Sequence, residues 1–320
     1  MPMRRRPHES PAELLRRIAG RLPVAAGQAR LAARRHVPPL KRARPTARPQ
    51  GEVLNPGDIS CIVFSKDRAL QLDACLHSIE RNAPYGGSTV VIYLATNPEF
   101  SRAYELVAIS ERTRLLPQSA DFRRDVLEAV DTAARYTVFH TDDDFCFRRP
   151  AGHLILPHGF ACFSLRLGEN TKYCYPLDRE QRVPSAAASD SIMEWDWTRA
   201  DGDFAYPMSV NGHIFETDLL RRMLRRASFS NPNELEYELH VRRYMAPPLM
   251  LASRESCVVS VPANAVSTTA NRSGEDPSYS PETLNARFLG GQRIDLDAMD
   301  FSGIRGAHQE IPFVFTSDAR

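Results

Sequence analysis

The sequence predicts an α/β fold, a mixed and mostly parallel sheet flanked by helices, and three observations carry that expectation. Apolar runs of strand length recur in the first half of the chain. Segments with helical spacing separate them. The last of these runs empties into three consecutive aspartates, Asp142-Asp143-Asp144. Strands alternating with helices are the signature of a sheet whose helices lie on its faces.

Asn55-Pro56-Gly57 is a turn signal, and folding proper starts at Asp58. Ile59 to Phe64 is continuously apolar and rich in β-branched residues, as a strand buried on both faces must be. It ends in Ser65-Lys66-Asp67-Arg68. From Ala69 the spacing is helical through Leu70, Leu72, Cys75, Leu76 and Ile79, stopping near Asn82-Ala83-Pro84. Thr89 to Leu94 repeats the strand pattern, stopped at Thr96-Asn97-Pro98, and residues 99–109 look helical. Val126 to Ala134 reads as another helix, and Tyr136 to His140 as the third strand, running into the aspartates. Beyond Pro150 the segments shorten. Phe160–Leu165, Thr171–Tyr175 and Cys257–Val261 read as strands, with helices at Asp218–Arg226, Glu234–Tyr244 and Tyr279–Leu289. Residues 177–206 read as a long loop or short-strand insertion.

At 42% hydrophobic and 25% charged residues, the 320-residue chain has ordinary globular composition, which excludes fibrous and disulfide-scaffold classes. It contains no apolar run of transmembrane length and no signal-peptide pattern. The six cysteines form no CxxC pair, and Cys61, Cys162 and Cys257 lie in apolar segments, so a reduced, cytoplasmic protein is expected. Residues 1–50 hold 13 Lys/Arg against Glu9 and Glu13, a charge of +11, whereas the remainder carries 28 Lys/Arg against 37 Asp/Glu. Residues 1–56 thus form a basic tail ahead of a domain over 57–320, with halves at 57–150 and 151–320. The tail is either a solvated leader or a peripheral contact with an anionic membrane, and no nucleic-acid partner is expected.

Three adjacent carboxylates repel one another, so a cation is the simplest compensation. In an extended strand end Asp142 and Asp144 project to one side and could share a hard ion, Mn2+ or Mg2+, with Asp143 pointing away.

Ile62-Val63-Phe64-Ser65-Lys66-Asp67-Arg68, with Leu70-Gln71-Leu72 and Leu76-His77-Ser78-Ile79, resembles the opening β-α unit of family 2-like glycosyltransferases. Val138 to Phe145 resembles their DxD strand. The resemblance covers residues 58 to about 150, and more loosely to about 240. It implies a GT-A, Rossmann-like fold whose first half binds a nucleoside diphosphate sugar, with Ser65, Asp67, Arg68, Thr96, Asn97, Asp142 and Asp143 lining the nucleotide pocket and Asp142 to Asp144 holding the metal. The second strand lacks the acidic residue usual near the base, which leaves the base open.

By the same resemblance the second half supplies the acceptor site and a general base. Glu236 is the first choice and Glu234 the second, although a glutamate in the first turn of a helix after Asn231-Pro232-Asn233 also suits the helix dipole. Trp195 and Trp197 flank Asp196 and could stack on an acceptor sugar, or equally fill a core. His308 is a candidate metal donor and Arg272 a candidate diphosphate contact. The expected activity is therefore metal-dependent and inverting transfer of a sugar to a saccharide, lipid-linked or other hydroxyl acceptor. Two alternatives stay open, a haloacid dehalogenase-like phosphohydrolase and a non-catalytic binding module.

Overall fold

The computed structural model describes residues 52–151, 155–157, 159–185, 187–188, 191–266, 272–274 and 276–317. The basic tail up to residue 51 lies outside them.

The parallel half is built from β1 (Ile59–Lys66), α1 (Ala69–Asn82), β2 (Thr89–Leu94), α2 (Pro98–Tyr104), β3 (Thr113–Pro117), α3 (Phe122–Asp131) and β4 (Tyr136–Thr141). The second half adds β5 (Asp144–Cys146), β6 (Cys162–Ser164), β7 (Ala187–Ala188), β8 (Ile192–Asp196), β9 (His213–Glu216), α4 (Thr217–Leu224), α5 (Pro232–Val241), β10 (Leu249–Ser253), β11 (Val258–Ser260) and α6 (Pro281–Leu289). Among the described residues the main sheet has nine strands in the order β7-β8-β10-β6-β9-β4-β1-β2-β3. Only β8 and β9 run against the other seven. The sheet is thus mixed and mostly parallel. The two-stranded ladder of β5 with β11 stands apart from it.

β1 is central because its side chains are apolar on both faces. Ile59, Cys61 and Val63 pack into one core with α1, α2 and α6. Ile62 and Phe64 pack into the other with α3, α4 and α5. The same alternation divides Val138 from Phe139 on β4. Layers of helix, sheet and helix follow directly from these runs.

β3 was not expected. Its residues are partly buried or exposed, none of them fully buried, and it closes on Pro117. It is the edge of the sheet, where a proline costs no ladder hydrogen bond and burial leaves little apolar signal. The aspartates therefore follow the fourth parallel strand of the sheet, not the third. Of the two readings of residues 177–206, a long loop or a short-strand insertion, the second describes Trp195, which sits in β8 of the main sheet.

Candidate active site

Strand ends β1, β2 and β4 converge on one point. The chain leaves β1 through Asp67, whose φ of +54° is unusual for a non-glycine residue. Its carboxylate stabilises that turn by accepting from the Thr96 backbone N–H at 2.7 Å and from Thr96 Oγ1 at 2.8 Å, which ties the end of β1 to the end of β2. Asn97 accepts from Phe100 N at 2.9 Å and caps α2. Ser65 bridges Tyr104 Oη at 2.7 Å and Asp142 Oδ2 at 2.8 Å.

Arg68 is the centre of the cluster. Its side chain is buried, with Nη1 donating to Asp142 Oδ1 at 3.0 Å and to Asp143 Oδ2 at 3.2 Å. Nε donates to Asn264 Oδ1 at 2.8 Å, and Nη2 donates to the Asn264 carbonyl. One guanidinium thus compensates two carboxylates, as an opposite charge at that distance should. Burial still pushes the Asp142 carboxyl up to about 6, with Arg68 opposing the rise and Asp143 adding to it. Burial raises Asp143 as well.

Asp144 belongs to the interior. The backbone turns at Asp142-Asp143, so Asp144 does not share a side with Asp142 as an extended strand end would require. Its Oδ2 accepts from His140 Nδ1 at 2.9 Å and from Thr141 N at 3.2 Å. Its Oδ1 accepts from Asn211 Nδ2 at 3.2 Å and from the Ser260 hydroxyl. Gly212, with φ of +62°, allows the turn that carries Asn211 there. Burial would raise the Asp144 carboxyl, but the hydrogen bonds led by His140 outweigh it and hold the group below the usual range. His140 in turn meets Tyr85 Oη through Nε2 at 2.6 Å.

The expected pairing of Asp142 with Asp144 around one ion is therefore not what the fold builds. Every carboxylate oxygen of the three aspartates already has a donor: Arg68, Ser65 and Lys66 N on Asp142, Thr141 and Arg68 on Asp143, and the four groups above on Asp144. Among the described residues no three His, Cys, Asp or Glu side chains are grouped to hold a metal. The charge that compensates Asp142 and Asp143 in this arrangement is the Arg68 guanidinium, held between the two carboxylates where a divalent cation would otherwise sit.

His308 is nevertheless close by. It pairs by a β-bridge with Ser260, stacks on Tyr175 with centroids 6.4 Å apart, and has no hydrogen-bond partner at Nδ1. Burial, helped by the charge of Arg166, lowers it to about 3, so the ring is neutral. Arg272 is engaged elsewhere, over the Tyr175 ring at 4.1 Å and on Asp178 at 2.9 Å.

The two glutamates separate clearly. Glu234 is exposed and accepts from Ser230 N at 2.7 Å and Ser230 Oγ at 2.8 Å, bonds that lower its carboxyl at the start of α5. Glu236 is partly buried, accepts from Val210 N at 3.3 Å and from the Tyr206 hydroxyl, and feels both Arg166 and Asp144. Burial raises it above the ordinary glutamate value.

The tryptophans do not face an acceptor. Trp195 is 5% exposed, lies edge-on to Phe204 at 5.4 Å, and donates its indole N–H to the Phe204 carbonyl at 2.9 Å. Trp197 is 7% exposed and donates to the Pro247 carbonyl at 2.7 Å. Both indoles share one core face, as their spacing implies, but that face is covered. Asp196 points outward and caps the following turn through Thr198.

Sequence reasoning passed over Arg166, Tyr104, Asn211 and His140. Arg166 is 3% exposed, donates to Ser209 Oγ at 3.1 Å and meets Asp203 at 3.5 Å. A cation closing the apolar run Phe160–Leu165 was the available signal, the same pattern that marks Arg68. A tyrosine within a helical stripe carries no such mark.

No protein-family model and no curated protein matches the chain. Among solved structures it is similar to the crystal structure of S. aureus TarS, with 15% identity, 63% of this chain and 36% of that chain covered, and a TM-score of 0.40. It is also similar to that of S. aureus TarS 1-349, with 13% identity, 63% and 60% covered, and a TM-score of 0.39. The chain thus spans less than two thirds of either. The functional reading rests on the residues themselves.

Proposed function

We propose that the chain is a GT-A type glycosyltransferase that moves a sugar from a nucleoside diphosphate sugar to the hydroxyl of a saccharide or lipid-linked acceptor, with inversion. The observation that carries the reading is the convergence of Ser65, Asp67, Arg68, Thr96, Asp142 and Asp143 beyond the carboxyl ends of β1, β2 and β4, where open α/β sheets bind ligands. Glu236 supplies the second requirement, a carboxylate whose raised proton affinity suits it to take the acceptor's proton as the anomeric carbon is attacked and the nucleoside diphosphate departs. The phosphohydrolase reading puts a nucleophilic aspartate at Asp142 or Asp144, whereas Asp142 is paired with Arg68 and Asp144 is fully buried among His140, Asn211 and Ser260.

The test is turnover of a panel of nucleotide sugars, including slow hydrolysis by water when the acceptor is missing. Glu236→Gln should lower kcat by about a hundredfold or more while leaving nucleotide binding intact, the range expected on losing a general base. Glu234→Ala should leave kcat unchanged. Because Glu236 acts ionised, the acidic limb of the pH–kcat profile should lie above the ordinary glutamate value. Equal activity in the wild type and Glu236→Gln would remove Glu236 from the mechanism.

A further inference from the structure

We propose that Lys66 and Arg68 receive the diphosphate of the nucleotide as a built-in pair of cations, in the place that a divalent metal would otherwise take. The inference rests on the nucleotide-sugar reading above. Lys66 Nζ donates to the Val266 carbonyl at 2.9 Å, and Arg68 donates to both the side chain and the carbonyl of Asn264. Both cations leave the carboxyl end of β1, two residues apart, and reach the same short segment, 264–266.

Their acceptors there are neutral amide oxygens. A phosphate oxygen forms a charge-assisted bond to the same N–H groups, shorter and about twice as strong as a neutral one. A diphosphate entering beyond β1 therefore displaces the 264–266 carbonyls from Lys66 and Arg68. It does not displace the carboxylates, because Arg68 Nη1 stays with Asp142 and Asp143. Those carboxylates hold the guanidinium in place, as a fixed positive charge needs if it is not to be reoriented at each encounter.

The alternative, an ion on Asp142 and Asp143, places a divalent cation against the Arg68 guanidinium that both carboxylates already hold. Repulsion between like charges at that separation works against it. Asn264 and Val266 are thus acceptors that keep two cations satisfied until the nucleotide arrives.

The experiment is calorimetric titration of UDP, GDP, dTDP and CDP into the full chain, once in EDTA and once in excess Mn2+. The nucleotide bound best should show dissociation constants within about threefold of each other in the two conditions, a difference well below one strong contact. Lys66→Ala should weaken it about tenfold or more, the loss of one hydrogen bond to a charged group, and Lys66→Arg should restore much of that. Lys66 is only partly buried, so its variants report on binding without an Arg68 variant that could fail to fold. Binding that disappears in EDTA, or that is unchanged in Lys66→Ala, would overturn the inference and leave the transferase reading standing. Failure of all four nucleotides in both conditions would overturn the two together.

Discussion

Arg68 is a buried cation held by two acids, and its removal is not equivalent to removal of a surface charge. Arg68→Ala leaves Asp142 and Asp143 facing each other without compensation, and should cost about 3–5 kcal/mol in unfolding free energy, the usual penalty for breaking a buried pair. Arg68→Lys keeps the charge but not the fork, and should recover part of it. Denaturant unfolding of the two variants beside the wild type measures this directly. A loss below about 1 kcal/mol in Arg68→Ala would place the pair with ordinary surface bridges. At this scale the sequence was legible in part. Asp142, Asp67 and Arg68 could be found from their positions at strand ends, but the cation that meets the aspartates lies 74 residues earlier in the chain, and nothing local to Asp142-Asp143-Asp144 says so.

The strand end, and not the single residue, decides which acid faces the site. β4 closes in a turn at Asp142-Asp143, so the third aspartate enters β5 and pairs across to β11 instead of continuing the period of two. An extended backbone was the assumption behind the pairing of Asp142 with Asp144, and the turn breaks it. The buried runs β1, β2 and β4 were readable because their apolar content has a single structural use. β3 was not, since edge position and partial exposure weaken the same signal, whereas β6 and β11, short but buried, fall within the runs read as strands in the second half. The turn is locked by Tyr85, His140 and Asp144 in series. Tyr85→Phe leaves His140 Nε2 buried without its partner, and should cost about 1–3 kcal/mol with little change in nucleotide affinity. Thermal unfolding and nucleotide titration of that variant separate the two effects. A large loss of affinity would show that the network acts on the site and not only on the fold.

For the whole molecule, charge is distributed unevenly along the chain. Residues 1–50 carry +11 and the rest carries −9, and no described helix is long and apolar enough to cross a membrane. The tail reading predicts that the full chain sediments with vesicles containing anionic lipid and that deletion of residues 1–50 abolishes this while leaving nucleotide binding intact. Sedimentation unaffected by the deletion would assign the tail no such role. The nucleotide site itself stands at the strand ends that gather Ser65, Asp67, Arg68, Thr96, Asp142 and Asp143. Its most direct measurement is thermal stabilisation of the full chain across UDP, GDP, dTDP and CDP sugars, which needs no acceptor. At about a hundredfold excess over Kd a bound ligand adds roughly 2.7 kcal/mol of stability. The account predicts that at least one member of the panel raises the midpoint of unfolding in a dose-dependent way. A panel in which no nucleotide sugar shifts it would contradict the account.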